Sequence, residues 1–520
     1  MHLAENVYHS RRRMIILLGI ILIFGGLVRV FSFSGCFGSD DLTYANLAYQ
    51  IANNAFKIGD NSAYISRLRI GLLVPVALGF KVTGPNEIVM IIYPFLVSML
   101  GIILAFFTGR AFFNDRVGLF AAMLQSVLPF DVRSASMLEP DLSAAFWANV
   151  GVLLLFYGSN RLTWAAKLTF AGMSGLALGF AWLTKESIGY LFPLIGAYLV
   201  WISYRQRRNL VLFIGTTLMI TAVLMVESVT YYIHTGDFLY RFHKIYETAQ
   251  YIHFLQWDLS EGAKLGWKES CYSTGAKVAK RILKDGPMII FVNRSFGFVT
   301  GVAILAVGYA SVRRLRPFIL PGIWFLSLAI MFNFGSSSLQ SYKPFFLDYR
   351  YIYPLLLPAV ILSAGLIDVL IPSHGLSKQE TGRKRLLCGG ALVVCITLAC
   401  LVGIYGNIFR QGISTPVERT VSRMLKPDDP LYTDSRTASV LNFFWKYPKE
   451  ARTKDFAGMG IDDIPTEVYV LINRERVKFL NSNYGYVLPK FYNDVPTHWL
   501  LKWRGNHAEL YWIPDAKTIW

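Results

Sequence analysis

The sequence predicts an α-helical polytopic membrane protein that ends in a small extracytoplasmic α/β domain. Three observations lead there. Of the 520 residues, 54% are hydrophobic and only 16% charged, with a mean hydropathy of +0.42; a soluble interior cannot bury that much apolar side chain. About eleven apolar runs approach the length of roughly 20 residues that crosses a bilayer. The connections between these runs then sort into a basic set and a chemically richer set that alternate along the chain.

The expected spans are 14–33, 88–109, 117–134, 142–158, 168–184, 188–204, 209–228, 287–310, 317–334, 350–371 and 387–406. Short basic connections occur at every second position: "HSRRR" (9–13), "GRAFFNDR" (109–116), "NRLTWAAK" (160–167), "YRQRR" (204–208), "RRLR" (313–316) and "KQETGRKR" (378–385). The positive-inside rule places these in the cytoplasm, and the N-terminus with them. They also account for much of the net charge of +18, so the basic balance points to topology and not to nucleic acid. The run 14–33 lacks an A-x-A cleavage site and is expected to remain a membrane helix. Segment 69–84 would spoil the alternation as a span, and reads as a helix lying in the outer interface. Residues 229–286 mix aromatics and charges, and read as interfacial helices and loop.

After residue 407 the pattern changes. "DPLYTD", "TEVYVLIN" and "HWLLKWRGNHAELYWIP" read as strands, the last as a hairpin turning at Gly505-Asn506. "TPVERTVSRMLK" and "TASVLNFFWKY" read as helices. The expected domains are therefore a transmembrane module over 1–406, with outer loops 34–87 and 229–286, and an α/β domain over 407–520. An odd number of spans puts the second domain outside the cytoplasm. The five cysteines form no disulfide framework; Cys36 with Cys271 is the one pair expected to share a compartment.

Every stretch that suggests chemistry lies in an outward connection. In "CFGSDDLTYANLAYQIANN" (36–54), Asp40 and Asp41 open a helical pattern. They suit helix capping by Ser39 or Asp40, with Asp41 at the positive helix end; the same placement suits a general base or a metal ligand. In "SMLEPDLSAAFW" (136–147), Glu139 and Asp141 flank Pro140, which starts a helix. In "AWLTKESIGY" (181–190), Lys185 would snorkel, pair with Glu186 or meet an anionic headgroup. Arg67 and Arg69 in "SRLRIG" and Arg350 in "DYRYIYPLLLP" are outward cations, against the usual bias, and a phosphate at the interface would explain them. His234, His243 and His253 lack metal-ligand spacing, and no P-loop or G-x-G-x-x-G motif stands out.

These stretches, in this order, resemble the GT-C membrane glycosyltransferases, in particular the protein O-mannosyltransferase and aminoarabinose lipid A transferase superfamily. "GSDDLTYANLAYQIA" resembles the family's first acidic loop, "LEPDLSAAFW" its second, and "GFAWLTKES" its Leu-Thr-Lys motif. "YYIHTGDFLYR" (231–241) and "RYIYPLLLP" resemble a Thr-Gly-Asp segment and an Arg-aromatic-Pro span entry. The resemblance covers about residues 10 to 370 and leaves the tail aside.

The resemblance implies a GT-C fold and an enzyme of the cell membrane. It would move a sugar from a polyprenyl-phosphate carrier to an acceptor hydroxyl on a glycan, lipid or protein outside the cytoplasm, with inversion. Asp40 matches the catalytic base, and Asp41 stands where the family usually has Glu. Glu139 or Asp141 matches the second-loop acid. Lys185, Arg67 or Arg69, and Arg350 match contacts to the donor phosphate. No cofactor is certain; a divalent metal held by Asp40 with Glu139 or Asp141 is the one the resemblance leaves open. The rival readings are a transporter or flippase for a lipid-linked glycan and a non-catalytic envelope assembly protein. The first lacks polar residues at membrane depth, and the second leaves the ordered acidic and basic motifs without a role.

Overall fold

A computed structural model describes the chain except residues 1, 34, 60–64, 254–273, 292, 297, 337–341, 343, 345–349, 372–379, 412–414, 450–451, 506 and 516–520. The chain forms two compact units. The first comprises Met1–Phe33, Lys57–Val74 and Tyr93–Ile408. The second comprises Ser34–Phe56, Pro75–Ile92 and Phe409–Trp520, so parts of the first outer loop group with the C-terminal segment.

Among the described residues, nine helices are long and apolar enough to cross a membrane. They are Arg12–Phe31, Glu87–Phe112, Pro140–Ser159, Trp164–Thr184, Glu186–Arg205, Arg207–Thr235, Arg316–Phe334, Tyr353–Leu370 and Gly389–Gly406. Many carry large apolar side chains on their outer faces, such as Ile23 (68% exposed), which suits hydrocarbon and not water. Tyr353–Leu370 runs through the middle of the first unit, with every residue from Leu356 to Ile367 buried. The chain is a multi-pass membrane protein.

Two expected spans differ from the sequence reading. The run 117–134 is broken: helix Asp115–Val127 ends, Leu128 is extended, and a short helix Pro129–Ser134 follows. Pro129 has no N–H to donate and disfavours helix at the residue before it. The run 287–310 is also interrupted, by a wide helical turn at Pro287–Phe291, before helix Val299–Arg313 begins. Segment 69–84 does form a helix, Ile70–Thr83, which at 14 residues is shorter than a span. The long helix Leu210–Thr235 continues through the start of the expected interfacial region and is followed by helix Tyr240–His253.

The second unit has a five-stranded sheet: β1 (Leu431–Thr433), β2 (Thr453–Asp455), β3 (Val468–Asn473), β4 (Leu500–Gly505) and β5 (Ala508–Ile513), in the order β2-β1-β3-β5-β4. β1 is parallel to β2 and β3, while β3, β5 and β4 pair antiparallel. The β4–β5 hairpin forms as expected, though Asn506 at its turn lies outside the described residues. The expected helices are Pro416–Met424 and Ser435–Phe444. β2 and a third helix, Arg474–Tyr484, had no reading in sequence. Val470, Ile472, Phe456 and Phe491 fill the core on one face of the sheet, and Leu431, Leu471 and Leu510 on the other.

Candidate active site

In the first unit, side chains from four separate stretches converge. Glu139 is extended (φ −126°, ψ 146°) immediately before Pro140, which opens helix Pro140–Ser159, as a residue before proline is expected to be. Its carboxylate pairs with the Arg350 guanidinium at 3.2 Å. In the first turn of the helix, buried Asp141 pairs with the Lys185 ammonium. Lys185 ends helix Trp164–Thr184 in an extended conformation (φ −158°, ψ 132°) that turns the chain into Glu186–Leu191. Its Nζ also lies 3.9 Å from the centre of the Tyr351 ring, a cation–π contact. Arg69 pairs with Glu186 at 2.9 Å. At Gly71 an added Cβ would collide with Thr184, so the small residue lets the Arg69 turn approach the end of that helix.

The expected choice between Lys185 snorkelling and pairing with Glu186 therefore resolves otherwise. Lys185 takes Asp141 as its partner and Glu186 takes Arg69. Both side chains of each pair are nearly dry, and a desolvated ion pair is fixed in place by the cost of separating it. Burial pushes the Lys185 ammonium below the ordinary lysine range; Asp141 opposes that and Arg69 adds to it. Burial likewise raises the Tyr351 phenol. Arg67 is half-buried and donates to the carbonyl of Lys57 (3.1 Å), so of the two expected arginines it is Arg69 that stands beside Lys185.

Behind this cluster lies a second buried pair that the sequence reading did not single out as a site. Arg241 pairs with Glu227 and donates to the carbonyls of Leu68 (3.1 Å) and Trp182 (2.6 Å). It ties the Arg69 turn to the helix that ends at Lys185. The available signal was Glu227, a lone acid in the apolar stretch 210–233.

Asp40 and Asp41 belong to the second unit and have different environments. Helix Asp40–Ala52 begins at Asp40, whose residue is exposed, and Ser39 makes no side-chain cap. Asp41 is buried, and its carboxylate accepts the Phe37 N–H (2.6 Å) and the Ser39 N–H (2.7 Å). The expected Ser39 cap is thus absent, and Asp41 reaches back to close the preceding turn. Cys36 is a buried free thiol, raised by burial and by Asp41; Cys271 lies outside the described residues. The His243 ring pairs with Asp237 at 2.7 Å on the surface, and the side chain of His253 is outside the described set.

Among the described residues no three His, Cys, Asp or Glu side chains gather as a metal site. Glu139 and Asp141 are each engaged by a cation.

Comparison with known proteins gives the following. The family described as "Dolichyl-phosphate-mannose-protein mannosyltransferase" matches residues 74–232. An undecaprenyl phosphate-alpha-4-amino-4-deoxy-L-arabinose arabinosyl transferase 2 of Pseudomonas fluorescens is 24% identical over 65% of this chain and 54% of its own length. An undecaprenyl phosphate-alpha-4-amino-4-deoxy-L-arabinose arabinosyl transferase of Pseudomonas paraeruginosa is 29% identical over 26% of this chain and 24% of its own length. The chain thus spans about half the length of the first of these relatives and about a quarter of the second. Among solved structures, ArnT from Cupriavidus metallidurans bound to undecaprenyl phosphate matches with a TM-score of 0.58 at 13% identity, over 96% of this chain and 97% of that one. The archaeal oligosaccharyltransferase AglB from Archaeoglobus fulgidus, in complex with an inhibitory peptide and a dolichol-phosphate, matches with a TM-score of 0.55 at 12% identity, over 90% and 70%. The chain shares the GT-C fold of these structures and resembles the aminoarabinose transferases in sequence.

Proposed function

We propose that this protein is a membrane glycosyltransferase that moves a sugar from a polyprenyl-phosphate carrier to an acceptor hydroxyl on the extracytoplasmic face. The observation that carries the reading is the convergence of Arg69, Lys185 and Arg350, each oriented by its own carboxylate, at the ends of helices of a GT-C fold. Three cations held at fixed positions, Lys185 and Arg69 buried and Arg350 partly exposed, are suited to meet charge that appears during reaction.

In the proposed reaction Asp40 takes the proton of the acceptor hydroxyl, whose oxygen attacks the anomeric carbon. The bond from that carbon to the phosphate oxygen breaks, with inversion. Polyprenyl phosphate leaves with its developing charge near Lys185, Arg69 and Arg350. A well-placed donor of this kind contributes about 3–4 kcal/mol, and general base action roughly 10²–10⁴-fold. Glu139 and Asp141 act here by orienting Arg350 and Lys185. An apolar groove in the first unit, lined by Phe112, Phe156, Leu194, Tyr198, Ile323 and Trp324, suits a polyprenyl chain. The proposed location is the cell (inner or plasma) membrane, with the N-terminus in the cytoplasm and the C-terminal domain outside.

The test is transfer by purified protein in nanodiscs, given radiolabelled polyprenyl-phosphate sugars and a membrane extract as acceptor. Wild type is expected to move label and Asp40→Asn is not. Equal transfer by both would remove Asp40 as base; no transfer from any donor would remove the donor class.

A further inference from the structure

The sheet of the second unit changes direction at β1. From β1 the chain passes through helix Ser435–Phe444 to β2 on one side, then crosses back to β3 on the other. The carboxyl ends of β1 and β3 therefore flank a switch point. In open α/β sheets, ligands occupy the crevice at such a point. Here Asp434 and Arg436 follow β1, while Asn473 and Arg476 lie at and after the end of β3. What meets these residues is the chain's own first loop. The Gly38 carbonyl accepts a hydrogen bond from Arg436 Nε. Gly38 has φ +72°, and a Cβ there would lie 2.9 Å from the Arg476 guanidinium and from Val440. Glycine is required both by the backbone and by the approach.

The crevice residues are themselves held. Asp434 caps helix Ser435–Phe444 through the Arg436 and Thr437 N–H groups (3.1 and 2.9 Å). The Arg436 guanidinium lies 5.2 Å from the centre of the Phe479 ring. Buried Glu418 accepts from Arg476 Nε (2.6 Å) and Asn473 Nδ2 (3.2 Å). The loop has further ties on the same side. Thr415 Oγ1 donates to the Cys36 carbonyl (3.0 Å). Glu87 accepts the Cys36 N–H (2.8 Å) and is itself held by Arg419 at 2.9 Å. With Asp41 on the Phe37 and Ser39 N–H groups, the polar backbone from Cys36 to Ser39 is bound directly ahead of Asp40.

We propose that the C-terminal domain is a clamp for the loop that carries Asp40, with Arg436 and Arg476 as positioning residues. This rests on the reading of Asp40 as the general base. The domain would place the carboxylate without touching the reacting atoms. Loosening the clamp should then lower kcat and leave donor KM nearly unchanged, since a displaced base weakens the transition state and not donor binding.

The experiment is hydrogen–deuterium exchange on the full-length protein in nanodiscs, beside the transfer assay, for wild type, Arg436→Ala, Arg436→Lys and Gly38→Ala. In Arg436→Ala, exchange of amides 36–42 should rise and kcat should fall about ten- to a hundredfold, the equivalent of one charge-assisted hydrogen bond. Donor KM should stay within about threefold, as expected when an interaction serves the transition state alone. Arg436→Lys, which keeps the charge and a donor, should recover part of both changes, and Gly38→Ala should reproduce them from the loop side. Peptides covering 140–184 serve as the folding control and should not change. Unchanged exchange at 36–42, or raised exchange with unchanged kcat, would overturn the proposal, as would a rise in KM alone. Should wild type transfer no label from any donor, the functional reading fails, and the exchange data alone decide whether the domain holds the loop.

Discussion

Replacing Lys185 by methionine separates two roles that its position combines. Lys185 is 3% exposed and its ammonium is bound to Asp141, itself 6% exposed. Removing it strands a buried carboxylate, at a cost of about 3–5 kcal/mol of stability. If the ammonium also meets the leaving phosphate, its loss removes about 3–4 kcal/mol of transition-state stabilisation. At roughly 1.4 kcal/mol per tenfold, that is a fall in kcat of about 10²–10³-fold. The two effects separate in the double variant Lys185→Met/Asp141→Leu. An apolar pair of similar volume commonly restores the stability of a buried ion pair, yet it supplies no charge to the phosphate. Thermal unfolding in detergent should therefore return toward wild type in the double variant while transfer stays low. Recovery of transfer together with stability would refute the reasoning and leave Lys185 and Asp141 as a structural pair only.

Other outcomes follow from the same geometry. Asp40→Asn should leave the melting temperature within a degree or two, because substitutions of exposed residues usually change stability by less than about 0.5 kcal/mol, while transfer falls about 10²–10⁴-fold. Asp41→Ala should instead destabilise the second unit by about 2–4 kcal/mol, since two amides lose a charged acceptor; exchange of amides 37 and 39 measures it. Lys185 has a pKa lowered by burial, so transfer should decline on the alkaline side before the ordinary lysine range is reached, and Lys185→Arg, if active, should move that limb to higher pH. Burial raises the Asp434 carboxyl, and its Oδ2 has no hydrogen-bond partner. A raised pKa means the native state is disfavoured once pH passes above it, so Asp434→Asn should match or exceed wild type in melting temperature at pH 7. That advantage should close as pH falls toward 4, near the ordinary aspartate pKa.

What could be read from the sequence was whatever a short stretch decides for itself. Pro140 fixes Glu139 as extended and starts the helix that carries Asp141, and the structure shows that arrangement. β3 and the β4–β5 hairpin announce themselves through alternation and a turn. β2 does not: "TKD" has three polar residues and becomes a strand only because β1 offers it an edge. The break at Leu128 was also local, since Pro129 predicts it, but the apolar run on either side masked the signal. Choice of partner is a different kind of fact. Arg69 meets Glu186 across 117 residues and Arg350 meets Glu139 across 211, and no local pattern selects those pairs over Lys185 with its neighbour Glu186. Adjacent residues at a helix end project in different directions, so Lys185 and Glu186 each find a cross-chain partner more easily than one another. The same reasoning explains why the paired acids of the first loop diverge. Asp41 turns back to bind the amides of its own turn and is buried, while Asp40, one residue earlier on the helix, is left at the surface.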